Sequence, residues 1–192
     1  MSISLKSLVL NCKHSTESVD FASQVTYIHG EIATGKSSIA RLIDFCLGGD
    51  LERTPAIQEE LVSVQLSFST SNYSVVIDRE AAGSKQVQVQ WSNDTGVSEK
   101  RLVPLTKTDT PIFGEDIFSL SELLLYFLKI PNVKVPKSEQ ANNASPVALS
   151  FRDLMWYCYL EQDTLESCFY NLTDNADPFR KRKSRFVMSY IV

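Results

Sequence analysis

Apolar and polar residues change rhythm several times along the chain, and each rhythm predicts a different element. Residues 3–10, ISLKSLVL, read as a first strand, and KHSTES after them as a turn. A second strand is expected within 19–28, VDFASQVTYI, best placed at Val25–Ile28. From Lys36 to Leu47 the spacing becomes helical, with Ile39, Leu42, Ile43 and Leu47 on one face. Gly48-Gly49 marks the stop, since glycine past a helix end adopts the left-handed turn without a Cβ penalty. Three alternating stretches follow: LVSVQLSF (61–68), YSVVIDRE (73–80) and QVQVQW (86–91). The first two form a hairpin across STSN, and AAGS provides the next turn. KRLVPLT (100–106) is a fourth strand, with Pro104 placing it at an edge because proline cannot donate to a ladder. Alternation of this kind predicts an antiparallel sheet with one wet face.

The last third is less regular. A helix is expected over Ser119–Leu128, capped by Ser119 or Ser121, with Glu122 three residues after Ser119 and Pro131 as the stop. Residues 131–147 are polar and proline-rich and read as an exposed loop. Residues 150–163, SFRDLMWYCYLEQD, are apolar and aromatic again. A helix starts at Pro178 with Asp177 as its cap and continues in apolar residues to Val192. No internal repeat interrupts this order.

Between the second strand and the first helix lies YIHGEIATGKSS, residues 27–38. It contains Gly30-x-x-x-x-Gly35-Lys36-Ser37, the spacing of a phosphate-binding loop. Glycines let backbone N–H groups close on phosphate oxygens, and the helix start adds free N–H groups and the positive end of its dipole. The nucleotide-binding residues are therefore Gly30, Glu31, Ile32, Ala33, Thr34, Gly35, Lys36, Ser37 and Ser38. Lys36 is placed to reach the β- and γ-phosphates, Ser37 to offer its hydroxyl to Mg²⁺, and Ser38 to contact the α-phosphate. ATP with Mg²⁺ is the expected ligand.

Composition narrows the class. The chain has 192 residues, a net charge of −4 and 43% hydrophobic residues, which allows one domain with a sizeable core and no global basic field for nucleic acid. The four cysteines, Cys12, Cys46, Cys158 and Cys168, form no CxxC pair, and only His14 and His29 accompany them, so zinc spacing is absent. Reduced, buried thiols in a cytoplasmic protein are the expectation. No signal peptide and no apolar run of about 20 residues is visible, so no membrane association is expected. The sequons at Asn72, Asn93, Asn143 and Asn171 are read as chance matches.

The loop, its second serine and the apolar helix IARLIDFCLGG resemble the N-terminal half of the head of SMC/SbcC/RecN-type ABC ATPases. In that family a strand before the loop ends in a motif like Asn-Phe-Arg-Ser-His, and Asn11, Cys12, Lys13 and His14 stand there. The resemblance adds Lys13 to the nucleotide-binding residues. The strands of 61–68 and 73–80 resemble the family's antiparallel arm, with its Tyr-x-Val-x-Arg hairpin. YCYLEQD resembles its Q-loop, an apolar strand ending in Gln. The resemblance implies that Gln162 is catalytic and contacts Mg²⁺ and the attacking water.

The resemblance implies an α/β P-loop fold in which an antiparallel arm, about 61–106, joins a partly parallel core. Residues 1–192 would be the N-terminal lobe, and the helix from about 178 would lead to a coiled coil. It implies a C-terminal lobe as partner, head-to-head pairing around ATP, and DNA as a candidate partner in repair, maintenance or anti-phage defence. The family's signature loop and acidic strand are missing here. Val75-Val76-Ile77-Asp78 is the one apolar strand ending in Asp, followed by Arg79 rather than Glu. Two other readings stay open: a compact P-loop kinase or NTPase using Asp78 for Mg²⁺, and a non-catalytic nucleotide-binding module. The cluster Arg180-Lys181-Arg182-Lys183-Ser184-Arg185 suits either DNA phosphates or a solvated helix face, and the face is favoured. Trp91 and Trp156 are read as core.

Overall fold

The computed structural model describes residues 2–31, 34–135, 146–159, 183 and 187–188. The chain divides into two compact units, residues 1–123 and 124–192.

The first unit contains β1 (Ser4–Cys12), β2 (Thr16–Asp20), α1 (Lys36–Cys46), α2 (Pro55–Glu60), β3 (Leu61–Ser69), β4 (Tyr73–Glu80), β5 (Gln86–Asn93) and β6 (Ser98–Pro104). All six strands join one sheet in the order β2-β1-β3-β4-β5-β6. Every pairing in it is antiparallel. The hairpins follow from the alternation: Leu66 faces Ile77, Ile77 faces Val89, and Leu8 of β1 faces Leu66. These residues and Val64, Phe68, Val75, Val87 and Val103 are buried on one face. Each such side chain contributes about 1.5–3 kcal/mol when removed from water. α1 packs against β3 and β4, with Leu42, Phe45 and Cys46 buried. Proline at the end of β6 sits on the sheet edge, as the sequence predicts.

Two expectations are corrected. Residues 25–28 are not a strand; the second strand is β2, Thr16–Asp20. The cause is a tight turn after β1, where Cys12 N–H donates to Ser15 C=O at 2.9 Å and folds the chain straight back along β1. The partly parallel core is also not seen among the described residues. β3 pairs directly with β1, so 61–106 continues the same sheet. α2 was not foreseen, although Thr54-Pro55 announces it: Thr54 Oγ1 accepts from Ile57 N–H and Pro55 takes the first turn.

Arg79 is the polar exception on the buried face. It is 6% exposed, stacks its guanidinium 3.8 Å over the Phe45 ring and donates to the Phe45 and Gly49 carbonyls at the end of α1. Beside it, burial pushes the Cys46 thiol up to about 12, with Arg79 opposing and Asp78 reinforcing the shift.

α3 (Leu120–Phe127) begins at Ser119, whose Oγ accepts from Glu122 N–H at 3.4 Å, while Glu122 reaches back to Phe118 N–H at 2.7 Å. Its far end closes on Lys129, which takes the left-handed conformation usual for glycine (φ 58°).

In the second unit, β7 (Lys134–Val135) and β8 (Val147–Ala148) form a short antiparallel ladder. The expected loop therefore carries paired ends. α4 (Phe151–Cys158) follows, opened by a capping box in which Asp153 accepts from Ser150 N–H and Ser150 Oγ from Asp153 N–H. Asp153 also accepts from Lys183 at 2.7 Å, with both side chains buried. Of the basic cluster, Lys183 is thus an internal partner rather than a solvated charge, and the rest lies outside the described residues. Asp153→Ala is expected to destabilise this unit by about 3–5 kcal/mol, because it strands a buried cation and removes the cap. Asp153→Asn should recover the cap but not the ion pair. Denaturant unfolding of the two variants checks the order.

Candidate phosphate-binding site

The loop leading into α1 is built on backbone conformation. Gly35 is the N-cap residue and sits at φ 84°, in the left-handed region. A Cβ there would meet nothing within 4 Å, so conformation and not space demands glycine. No side chain caps α1 and no acidic residue lies in its first turn. The first amides of a helix have no intrahelical acceptor, so this terminus presents N–H donors and the positive dipole end to an anion.

Lys36 folds back over the loop. Its ammonium donates to the Gly30 carbonyl at 2.9 Å, to the Glu31 carbonyl, and to Thr34 Oγ1 at 3.2 Å. Thr34 in turn donates to the Glu31 carbonyl at 2.8 Å. The loop is therefore closed on its own lysine, with the cation held beside the helix start. Ser37 is exposed and Ser38 half-buried on the first turn. Upstream, the Tyr27 and His29 rings stack at 6.1 Å. Gly30, Glu31, Thr34, Gly35, Lys36, Ser37 and Ser38 are thus brought together; Ile32 and Ala33 lie outside the described residues.

The other candidates are placed differently. Lys13 is exposed on the β1–β2 turn, and its amide donates to Glu60 C=O at 2.9 Å, which ties it to the end of α2. Gln162 lies outside the described residues. α4 runs through Cys158, so the expected apolar strand does not begin at Tyr157, and its part beyond Tyr159 lies outside the described residues. Asp78 is half-buried in mid-sheet, in register with Gln65 and Gln88. Strand side chains alternate between faces. Arg79 takes the face covered by α1, so Asp78 points to the opposite one. Arg79 itself was visible in the sequence as a cation at an inward position of an alternating strand.

The donor set fits a nucleotide triphosphate: one ammonium, free helix amides and two hydroxyls. Among the described residues no three His, Cys, Asp or Glu side chains gather to hold a metal. Mg²⁺ would rest on the Ser37 hydroxyl and on phosphate oxygens, its usual mode in such sites.

The AAA domain family matches residues 7–176. The chain belongs to the AAA domain family. A comparison with curated proteins finds no match. Membership in this P-loop ATPase family supports nucleotide binding by the AAA domain, and the family generally binds ATP with Mg²⁺. Among the described residues, no helix of this AAA domain is long and apolar enough to cross a membrane.

Proposed function

We propose that the chain binds Mg-ATP as the N-terminal part of an SMC/SbcC-like ATPase head. The carrying observation is the loop itself: Gly35 in its left-handed turn, Lys36 held on Gly30, Glu31 and Thr34, and an uncapped helix start behind them. Lys36 balances phosphate charge, the amides of the first turn orient the oxygens, and Ser37 offers a metal ligand. Mg²⁺, when bound, neutralises charge between phosphates. Hydrolysis also needs a carboxylate near the attacking water. Asp78, facing away from α1, is unsuited to that task, which supports a second lobe as its source. On this reading the second lobe, in the same chain or in trans, brings the signature loop and the acidic strand. Two heads then close around ATP, and Gln162 and Lys13 join the site. DNA repair, maintenance or anti-phage defence in the cytoplasm is the setting this reading implies.

The test is calorimetric titration with Mg-ATP together with a phosphate-release assay on the purified chain. Binding without turnover is expected. Turnover that disappears in Lys36→Ala and in Asp78→Asn would replace this reading by the compact NTPase. Absence of any Mg-ATP binding would end both.

A further inference from the structure

At the other end of α1 from the phosphate loop, the first unit holds a cavity of about 450 Å³. Arg53, Arg79 and Lys85 line it against a single carboxylate, Asp50, and Ser84 and Thr106 add hydroxyls. The chain as a whole carries a net charge of −4, so this excess of cations is local and not a product of composition. We infer that this cavity is a second binding site, for a phosphate monoester carried on an organic body.

The three cations differ in mobility. Arg79 is fixed: it is buried and donates to the Phe45 and Gly49 carbonyls, which makes it a permanent positive wall. Arg53 is exposed and donates to the Ala82 carbonyl at 3.4 Å, a long bond that a better acceptor displaces at little cost. Lys85 is exposed on the same turn. Ser84 Oγ already accepts from Gln86 N–H at 3.1 Å, which leaves its O–H to donate. Gly83 serves both the turn and the arginine: it sits at φ 92°, and a Cβ there would meet Arg53 Nη2 at 2.7 Å.

Charge selects the ligand. A phosphate monoester carries about −1.5 to −2 at neutral pH, which matches three cations opposed by one carboxylate. Guanidinium groups present paired donors that suit phosphate oxygens. The body of the ligand also has a place. A second cavity of about 530 Å³ shares Arg53 and Ala81 with the first; Ile57, Leu61 and Val62 give it apolar walls, and Gln58 and Glu80 give it polar ones. Arg53 therefore stands between a cationic concavity and one of mixed character, where Glu80 disfavours the phosphate and the apolar walls admit the organic body. A free mononucleotide and the 5′-phosphorylated end of a nucleic-acid strand both have this chemistry. The inference does not rest on the reading of the phosphate loop.

The experiment uses the full chain carrying Lys36→Ala, so that the loop is disabled. It is titrated calorimetrically with inorganic phosphate, AMP, a 5′-phosphorylated oligonucleotide and the same oligonucleotide with a 5′-hydroxyl. Saturable binding of AMP or of the phosphorylated strand is expected, at least about tenfold weaker after Arg53→Ala and Lys85→Ala together. Lys85→Glu alone should weaken it in the same direction. Binding by AMP marks a free nucleotide as the source; binding by the phosphorylated strand alone marks a strand end. The inference is overturned if neither AMP nor the phosphorylated strand saturates. It is equally overturned if the 5′-hydroxyl strand binds as well as the phosphorylated one, or if the cavity variants bind undiminished. Arg53 and Lys85 are both exposed, so an unchanged melting temperature accompanies either result.

Discussion

Exchanging Lys36 for Ala is expected to raise the Kd for Mg-ATP by roughly ten- to hundredfold while moving the melting temperature by no more than about 2 °C. Hydrogen bonds to charged groups contribute about 1.5–3 kcal/mol, and each 1.4 kcal/mol is about a factor of ten in affinity. In the folded chain the ammonium rests on the Gly30 and Glu31 carbonyls and Thr34 Oγ1, all in an exposed loop. Water replaces those contacts readily in the variant, so stability changes little. A triphosphate has no comparable substitute, because the remaining donors of the helix start are amides and hydroxyls. Lys36→Arg should recover little of the affinity. A planar fork does not reproduce the contacts that a compact ammonium makes with Gly30, Glu31 and Thr34. Calorimetry on wild type and both variants, with thermal melts alongside, checks this. An unchanged Kd in Lys36→Ala would remove the nucleotide from the loop altogether.

Where local rhythm and long-range pairing agree, the sequence was sufficient. The strands of 61–68, 73–80 and 86–91 alternate cleanly and pair in register, so that Leu66, Ile77 and Val89 meet in one buried row. The phosphate loop was legible for a different reason. Its chemistry depends on glycine conformation and one lysine at fixed offsets, and both are written locally. What failed depended on choosing between two partners. Val25 and Tyr27 have strand composition, yet they are 80% and 84% exposed, because Thr16–Asp20 occupies the edge of β1. Nothing in the apolar pattern of 19–28 announces that competition. By its apolarity alone, the aromatic run of 150–158 does not name an element. Its true signal was polar: Ser150 and Asp153 stand three apart, as a capping box requires. The parity of β4 was decisive for the site. One residue separates Asp78 from Arg79, and that one step puts the carboxylate on the face away from α1.

The same parity makes Arg79 the residue whose loss should cost the fold most. Arg79→Ala is expected to destabilise the first unit by about 3–5 kcal/mol, since two buried carbonyls lose a charged donor and the stack over Phe45 is lost. For a chain of this length that corresponds to a fall in melting temperature of roughly 6–20 °C. Arg79→Lys should lie between, keeping the charge and a donor for the carbonyls but not the planar stack over Phe45. Cys46 supplies an internal reporter. Burial holds its thiol near 12, so it alkylates slowly at neutral pH in the folded chain. Arg79 pulls that value down, so removing the arginine acts to raise it and to slow alkylation if the fold is intact. Faster alkylation in Arg79→Ala therefore has one source, opening of α1 from β3 and β4. If the variant melts like wild type and Cys46 stays protected, Arg79 is not the clamp at the end of α1. If Cys46 opens while Mg-ATP affinity below the melting range is kept, the clamp secures the helix that carries Lys36 without tuning the phosphate site.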